Sequence, residues 1–251
     1  MTDAPVRYER TGAAALVTID RPQHRNAVDA ATAELLRQSL ERFEADDGAR
    51  VMVLTGAGGV AFCAGADLKA MDLDIDHPQG PMGFTLVTPS KPTIAAISGW
   101  CLAGGLEIAL WCDMRIATED STFGLFERRW GVPLIDGGTQ RLRRIVGMGR
   151  ALELTLTGRP VQAGEALRIG LANEVVPPGG HVERALALAE QLAGFPQETM
   201  LSDRRATIEG AGLPLREGMQ LEHEIGREVL EVAARGAARF AGGEGRHGTG
   251  V

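Results

Sequence analysis

Thr93-Ile94-Ala95-Ala96-Ile97-Ser98, then Gly104-Gly105-Leu106-Glu107-Ile108-Ala109-Leu110-Trp111, then Met114-Arg115-Ile116-Ala117: these three stretches, in this order, decide the fold. The first and third are short and continuously apolar, as strands covered on both faces are. The stretch between them opens on two glycines and predicts a helix through Glu107 to Trp111. A strand, a helix and a strand in succession imply a parallel pair joined by a right-handed crossover, hence an α/β fold. Outward from there, Val51-Met52-Val53-Leu54 repeats the buried-strand pattern and is broken by Thr55-Gly56-Ala57-Gly58-Gly59. Residues 13–20 form another β-prone run, closed by Arg21-Pro22. Asp29 is placed to cap a helix running to about residue 44, with Ala33, Leu36, Leu40 and Phe43 buried at helical spacing.

From about His181 the pattern changes to helices alone, over residues 181–192, 197–209 and 215–234, with Pro196 and Pro214 near the starts of the last two. The expected organisation is therefore a core over residues 1–190 and a helical part over 191–251. The last helix reads as amphipathic and suited to covering a neighbour's surface. Residues 71–90, with Asp72, Asp74, Asp76, Pro78, Gly80 and Pro81, read as a mobile loop or short helix of the kind that borders a ligand. The glycine-rich stretch 242–248 reads as flexible.

Composition narrows the class. At 251 residues and 44% hydrophobic content the chain can bury one large core, and no apolar run reaches membrane-spanning length. Met1-Thr2-Asp3-Ala4-Pro5 has neither the basic start nor the apolar stretch of a signal peptide. Cys63, Cys101 and Cys112 lack metal-type spacing and read as reduced packing residues. The net charge of −7 argues against a broad nucleic-acid surface. The expectation is a cytoplasmic protein that binds neither nucleic acid nor membrane.

Glu107 and Glu127 stand out, twenty positions apart (127 − 107), each beside a glycine turn. A carboxylate in an apolar run is costly unless paired, hydrogen-bonded or protonated, so each is either a satisfied structural acid or a working one. Two of them read as an acid/base pair. The turns beside them suggest the rest of a site. Gly104-Gly105 opens the helix carrying Glu107 and leaves backbone amides free at its positive end. In Ala61-Phe62-Cys63-Ala64-Gly65-Ala66-Asp67-Leu68-Lys69, a helix starting near Asp67 would free the amide of Ala66. Two amides converging on one carbonyl oxygen make an oxyanion hole.

These motifs carry a resemblance across most of the chain. Asn26-Ala27, Ala64-Gly65-Ala66-Asp67-Leu68-Lys69, Lys91-Pro92-Thr93-Ile94-Ala95-Ala96, Gly104-Gly105-Leu106-Glu107 and Gly137-Gly138-Thr139-Gln140-Arg141-Leu142 together resemble the crotonase superfamily, the enoyl-CoA hydratases and isomerases. Thr157-Gly158-Arg159, Ala163-Gly164-Glu165-Ala166 and Gly170-Leu171-Ala172 extend the match to about residue 176. The resemblance implies a spiral of ββα units and a C-terminal helical part that assembles trimers or hexamers. It implies a 2-trans-enoyl-CoA hydratase of the fatty-acid β-oxidation type, working on an acyl-CoA thioester with no metal or redox cofactor. Ala66 and Gly104 match the oxyanion-hole positions, and Ala66 to Lys69 the CoA-binding segment, with Arg25, Ala27 and Ala64 beside it. Glu107 matches the base acting on water and Glu127 the proton donor. Arg25 and Lys69 are the candidates for the CoA phosphates.

The sequence also departs from the family pattern. Phe126 stands where hydratases usually have proline, and Arg128-Arg129-Trp130 replaces an apolar stretch. Asp136 occupies a position where hydratases usually carry a small residue. It reads first as a cap for a helix over residues 137–146. Its other reading is a third acid in the pocket, similar to the catalytic aspartate of dienoyl-CoA isomerases and, loosely, to the nucleophile of the aroyl-CoA dehalogenases. Isomerisation of an enoyl- or dienoyl-CoA, or acyl-CoA binding without catalysis, are the alternatives to hydration.

Overall fold

A computed structural model describes residues 4–243. The chain falls into two compact units, Met1–Ala189 and Glu190–Val251.

The first unit begins with β1 (Val6–Thr11) and β2 (Ala14–Ile19), an antiparallel pair, followed by α1 (Ala30–Ala45) and β3 (Val51–Gly56). Asp29 caps α1 by accepting the Thr32 N–H at 2.9 Å, and Leu36, Leu40 and Phe43 point into the core. Lys91 closes the other end of α1, its Nζ donating to the carbonyls of Phe43, Asp46 and Ala49, where the helix dipole favours a cation. Every residue of β3 is buried, as a strand covered on both faces requires.

The chain then repeats one move. From β3 it passes to β4 (Ala61–Cys63). From β5 (Thr93–Ile97) it passes to β6 (Trp100–Leu102) and α2 (Gly104–Trp111). From β7 (Met114–Thr118) it passes to β8 (Thr122–Gly124). Each pass adds one strand to each of two sheets, so the chain spirals. The larger sheet, with β10 (Glu174–Val176), runs β1-β2-β3-β5-β7-β10, parallel from β2 onward. The smaller runs β4-β6-β8-β9, where β9 is Val161–Gln162. The helices α3 (Gly138–Val146), α4 (Met148–Thr157) and α5 (Ala163–Arg168) complete this part, and α6 (His181–Gly194) follows.

In the second unit α7 (Gln197–Glu209) and α8 (Leu215–Arg227) pack together, and α9 (Leu230–Ala241) pairs Arg235 with Glu198 of α7 at 3.5 Å. Pro196 and Pro214 are the N-caps of α7 and α8. The single helix expected over residues 215–234 is two: the ladder breaks at Glu228 and Val229, just after Gly226, which weakens a helix interior. Most of the stretch read as flexible, from residue 244 on, lies outside the described residues. No helix among the described residues is long and apolar enough to cross a membrane.

Candidate active site

The smaller sheet and the helix that leaves it build the site. β4 ends at Cys63 and runs into Ala64-Gly65-Ala66; its parallel neighbour β6 ends at Leu102 and runs into Ala103-Gly104. The two turns therefore lie side by side. Gly65 has φ 96°, and a Cβ there would stand 2.9 Å from the Gly104 nitrogen, so only glycine permits this approach. Ala66 makes an isolated bridge to Val28, in which Val28 N–H donates to Gly65 and Asp67 N–H to Val28, leaving the Ala66 amide outside the ladder. Gly104 is the first residue of α2, so its amide has no partner within the helix. Ala103 holds φ 50° to make the corner, a strained setting for a residue with a Cβ.

No helix starts near Asp67. The chain makes a single turn there, with Ala70 and Met71 N–H donating to the Asp67 carbonyl and Lys69 N–H to its carboxylate at 3.1 Å. The Ala66 amide is free because of the bridge to Val28, not because a helix begins. Arg21 anchors this turn, pairing with Asp67 at 3.1 Å and Asp29 at 2.7 Å and donating to the Ala27 carbonyl. Asp67 is thus held by protein, and Ala27 is buried behind the wall.

A cavity of about 590 Å³ opens in front of both turns. Arg25, Ala64, Ala66, Asp67, Leu68, Gly104, Glu107, Glu127 and Asp136 line it, whereas Ala27 and Lys69 do not. Its remaining walls are chiefly apolar, from Met82, Phe126, Trp130 and the run Val132-Pro133-Leu134-Ile135. Residues 71–90 form no regular element, yet Met82, Phe84 and Thr85 are buried, so part of this loop is core.

Three carboxyl groups converge here, each at most 5% exposed. Glu107, in the first turn of α2, accepts the backbone N–H of Asp136 at 3.0 Å and of Gly138 at 2.8 Å on Oε1. Burial pushes its pKa up to about 7, the charges of Asp136 and Glu127 adding to the rise while the two N–H donors oppose it. Glu127 sits in a single 3₁₀ turn, Phe126–Trp130, and neither of its carboxyl oxygens accepts a hydrogen bond from the described residues. Burial raises its pKa too. The geometry distinguishes the two acids: two backbone N–H donors hold Glu107, whereas no other described residue donates to Glu127, whose rise in pKa is opposed by its own backbone N–H and by the charge of Arg128.

Asp136 is not a cap. The N-cap of α3 is Gly137, at φ 91°, and the first amide of the helix, that of Gly138, is taken by Glu107 rather than by Asp136. The Asp136 carboxylate instead accepts the Met82 N–H at 3.1 Å and the Thr85 hydroxyl, and burial raises its pKa.

Comparison with known proteins decides the family. A family model described as Enoyl-CoA hydratase/isomerase matches residues 9–241. A probable enoyl-CoA hydratase of Rhizobium meliloti (strain 1021) is 39% identical over 240 residues, covering 92% of this chain and 93% of the relative. The chain belongs to the enoyl-CoA hydratase/isomerase family. An (E)-benzylidenesuccinyl-CoA hydratase of Thauera aromatica is 34% identical, covering 96% of this chain and 97% of that one. The crystal structure of an enoyl-CoA hydratase from Mycobacterium tuberculosis H37Rv aligns with TM-score 0.90 at 35% identity, over 95% of this chain and 96% of that one. The fold is the crotonase spiral expected from the motifs.

Within this enoyl-CoA hydratase/isomerase family member, sequence reasoning missed several wall residues. Phe126 and Trp130 registered only as departures from the family pattern, yet both line the cavity, and Arg129 lies 3.9 Å over the Phe126 ring. Met82 gave no signal at all, since only the tertiary fold brings it to Gly104, where its Cε stands 3.1 Å from the position a Cβ would take.

Proposed function

We propose that the protein hydrates the double bond of a 2-trans-enoyl-CoA, as in fatty-acid β-oxidation. The observation that carries this reading is the pair of buried glutamates, Glu107 held by two backbone N–H groups and Glu127 by no other described residue, in one cavity with the Ala66 and Gly104 amides, which have no partner among the described residues. The thioester oxygen sits between the N–H groups of Ala66 and Gly104. The Glu107 carboxylate takes a proton from water as the water oxygen bonds to the β-carbon. The π electrons shift onto the thioester oxygen, giving an enolate that the two amides stabilise; losing one such donor costs roughly 2.7–4 kcal/mol of barrier. Glu127 then delivers its proton to the α-carbon, and the product is the 3-hydroxyacyl-CoA. One water is consumed, and Glu107 ends with the proton that Glu127 lost, so the steps balance without a metal or redox cofactor.

Arg25 at the cavity edge, and Lys69 on the exposed turn beside it, are the proposed contacts of the CoA phosphates. The apolar walls suit a hydrocarbon acyl chain. A homotrimer, or a dimer of trimers, in the cytoplasm completes the proposal; the exposed Met148, Leu152 and Leu156, spaced four apart on α4, support an assembling surface. Isomerisation of an enoyl- or dienoyl-CoA is the second reading, favoured by the third carboxylate of Asp136 in the cavity.

Crotonoyl-CoA tests the proposal through the absorbance of its conjugated thioester. Hydration removes that absorbance in a saturable, enzyme-dependent way. Saturable binding with unchanged absorbance would identify a binding protein and defeat the hydratase reading.

A further inference from the structure

We propose that Asp136 is a positioning residue that ties the base Glu107 and the oxyanion turn at Gly104 into one frame. The proposal rests on the hydratase reading for the role of Glu107, but its geometry stands independently. Asp136 is 3% exposed and is bonded in three directions. Its backbone N–H donates to Glu107 Oε1 at 3.0 Å. Its Oδ1 accepts the Met82 N–H at 3.1 Å and the Thr85 hydroxyl. Its carbonyl accepts from Arg141 at 2.7 Å, and the same guanidinium donates to the Thr85 carbonyl. Met82 in turn packs on Gly104, its Cε 3.1 Å from where a Cβ would stand.

Residues 82–85 belong to no helix or strand, so no backbone ladder sets their distance from α2. Trp111, at the far end of α2, holds this segment through its Nε1–H to the Val87 carbonyl at 2.6 Å and through its ring against Phe84 at 4.4 Å. Asp136 adds the tie at the Glu107 end. Through its amide it fixes Glu107, and through its carboxylate it fixes the segment whose Met82 abuts the oxyanion turn. Displacing such a frame by about 1 Å can cost on the order of a hundredfold in rate. The carboxylate has a second effect, because no side-chain cation among the described residues bonds to it: Arg141 donates to the carbonyls of Asp136 and Thr85. The charged groups acting here are Glu107, Glu127 and Arg141. Asp136 and Glu127 raise the proton affinity of Glu107.

Two substitutions separate the effects. Asp136→Asn keeps an oxygen that can accept both bonds but removes the charge; Asp136→Ala removes both. Three readouts are taken on each: kcat and KM for crotonoyl-CoA against pH, the melting temperature, and the titration of Glu107 followed by the infrared carboxyl band that Glu107→Gln abolishes. The expected result is a loss of kcat of roughly tenfold to a hundredfold for Asp136→Ala, beyond any loss of folded protein. Asp136→Asn should retain most of the maximal kcat, with the acid limb of kcat/KM and the Glu107 infrared titration both moved to lower pH. Wild-type kcat in Asp136→Ala, or an unmoved Glu107 titration in Asp136→Asn, would overturn the proposal. So would abolition of turnover at every pH by Asp136→Asn, which would place the carboxylate on the reacting atoms. A wild-type protein without hydratase turnover would instead defeat the hydratase reading, while the infrared titration would still decide the link between Asp136 and Glu107.

Discussion

Gly138 and Glu107 touch so closely that a methyl group on Gly138 would stand 2.8 Å from Glu107 Cγ and 2.9 Å from its Oε1. The contact exists because the Gly138 N–H must reach that oxygen at 2.8 Å, at the start of α3. Gly138→Ala is therefore expected to push the Glu107 carboxyl out of place. Turnover should fall by about a hundredfold, with a smaller change in KM. The overpacking should cost roughly 1–3 kcal/mol of stability, read by denaturant titration.

The pH profile should follow Glu107. In the proposed mechanism Glu107 works as a carboxylate, and its pKa of about 7 places protonation within the accessible range. The kcat/KM of the free enzyme is expected to fall as pH drops through about 7, approaching a tenfold loss per unit below it. In the proposed mechanism Glu127 holds the proton that is delivered, so its ionisation is expected to give a second, alkaline limb. The two limbs belong to the coupled pair.

The same shift bears on stability, with a definite sign. The folded pKa of Glu107, about 7, exceeds its ordinary 4.5, so the fold favours the protonated form. The buried charge is then no burden below about pH 4.5, and its destabilisation grows as pH rises, becoming complete above about 7. Glu107→Gln retains an oxygen for the Asp136 and Gly138 amides but carries no charge. It is expected to be more stable than the wild type at pH 8, by on the order of 2–3 kcal/mol. The difference should close toward pH 4.5 in thermal melts.

How far this site was legible in the sequence depended on the range of the interactions. Leu36, Leu40 and Phe43 repeat at helical spacing, and the run 51–54 is wholly apolar, so α1 and β3 could be read locally. The smaller sheet could not: β4, β6 and β8 are three residues each, too short for a period to show. β1 alternates Val6 with charged Arg7, Glu9 and Arg10 and passed unnoticed as an edge strand. Glu107 and Glu127 were legible because a carboxylate in apolar surroundings stands out. Asp136 misled because an aspartate before Gly137-Gly138-Thr139 has the composition of a helix cap. Its partners, Met82 and Thr85, lie more than fifty residues upstream (136 − 82 and 136 − 85), where local reading does not reach.

Arg21 shows the same limit and yields a further test. It holds Asp29, Asp67 and the Ala27 carbonyl at once, behind the turn that presents Ala66. Arg21→Ala should leave two carboxylates without their cation and loosen that turn. A stability loss of about 1–3 kcal/mol is expected. A raised KM for acyl-CoA should accompany it, since the Ala66–Lys69 segment is the proposed CoA contact. Steady-state kinetics with parallel melts would measure both.

The central claim is that Glu107 and Glu127 together place one water across the double bond, and mass spectrometry in ¹⁸O-labelled water tests it most directly. With the wild type, the enoyl-CoA is expected to gain the mass of one labelled water, with the label on the β-carbon hydroxyl. Glu107→Gln and Glu127→Gln should each suppress that gain by roughly 10²–10⁴-fold while acyl-CoA binding survives. The double variant should be little worse than the poorer single one, as expected of groups serving one transition state. A product of unchanged mass with a moved double bond, or full labelling by Glu107→Gln, would contradict the account.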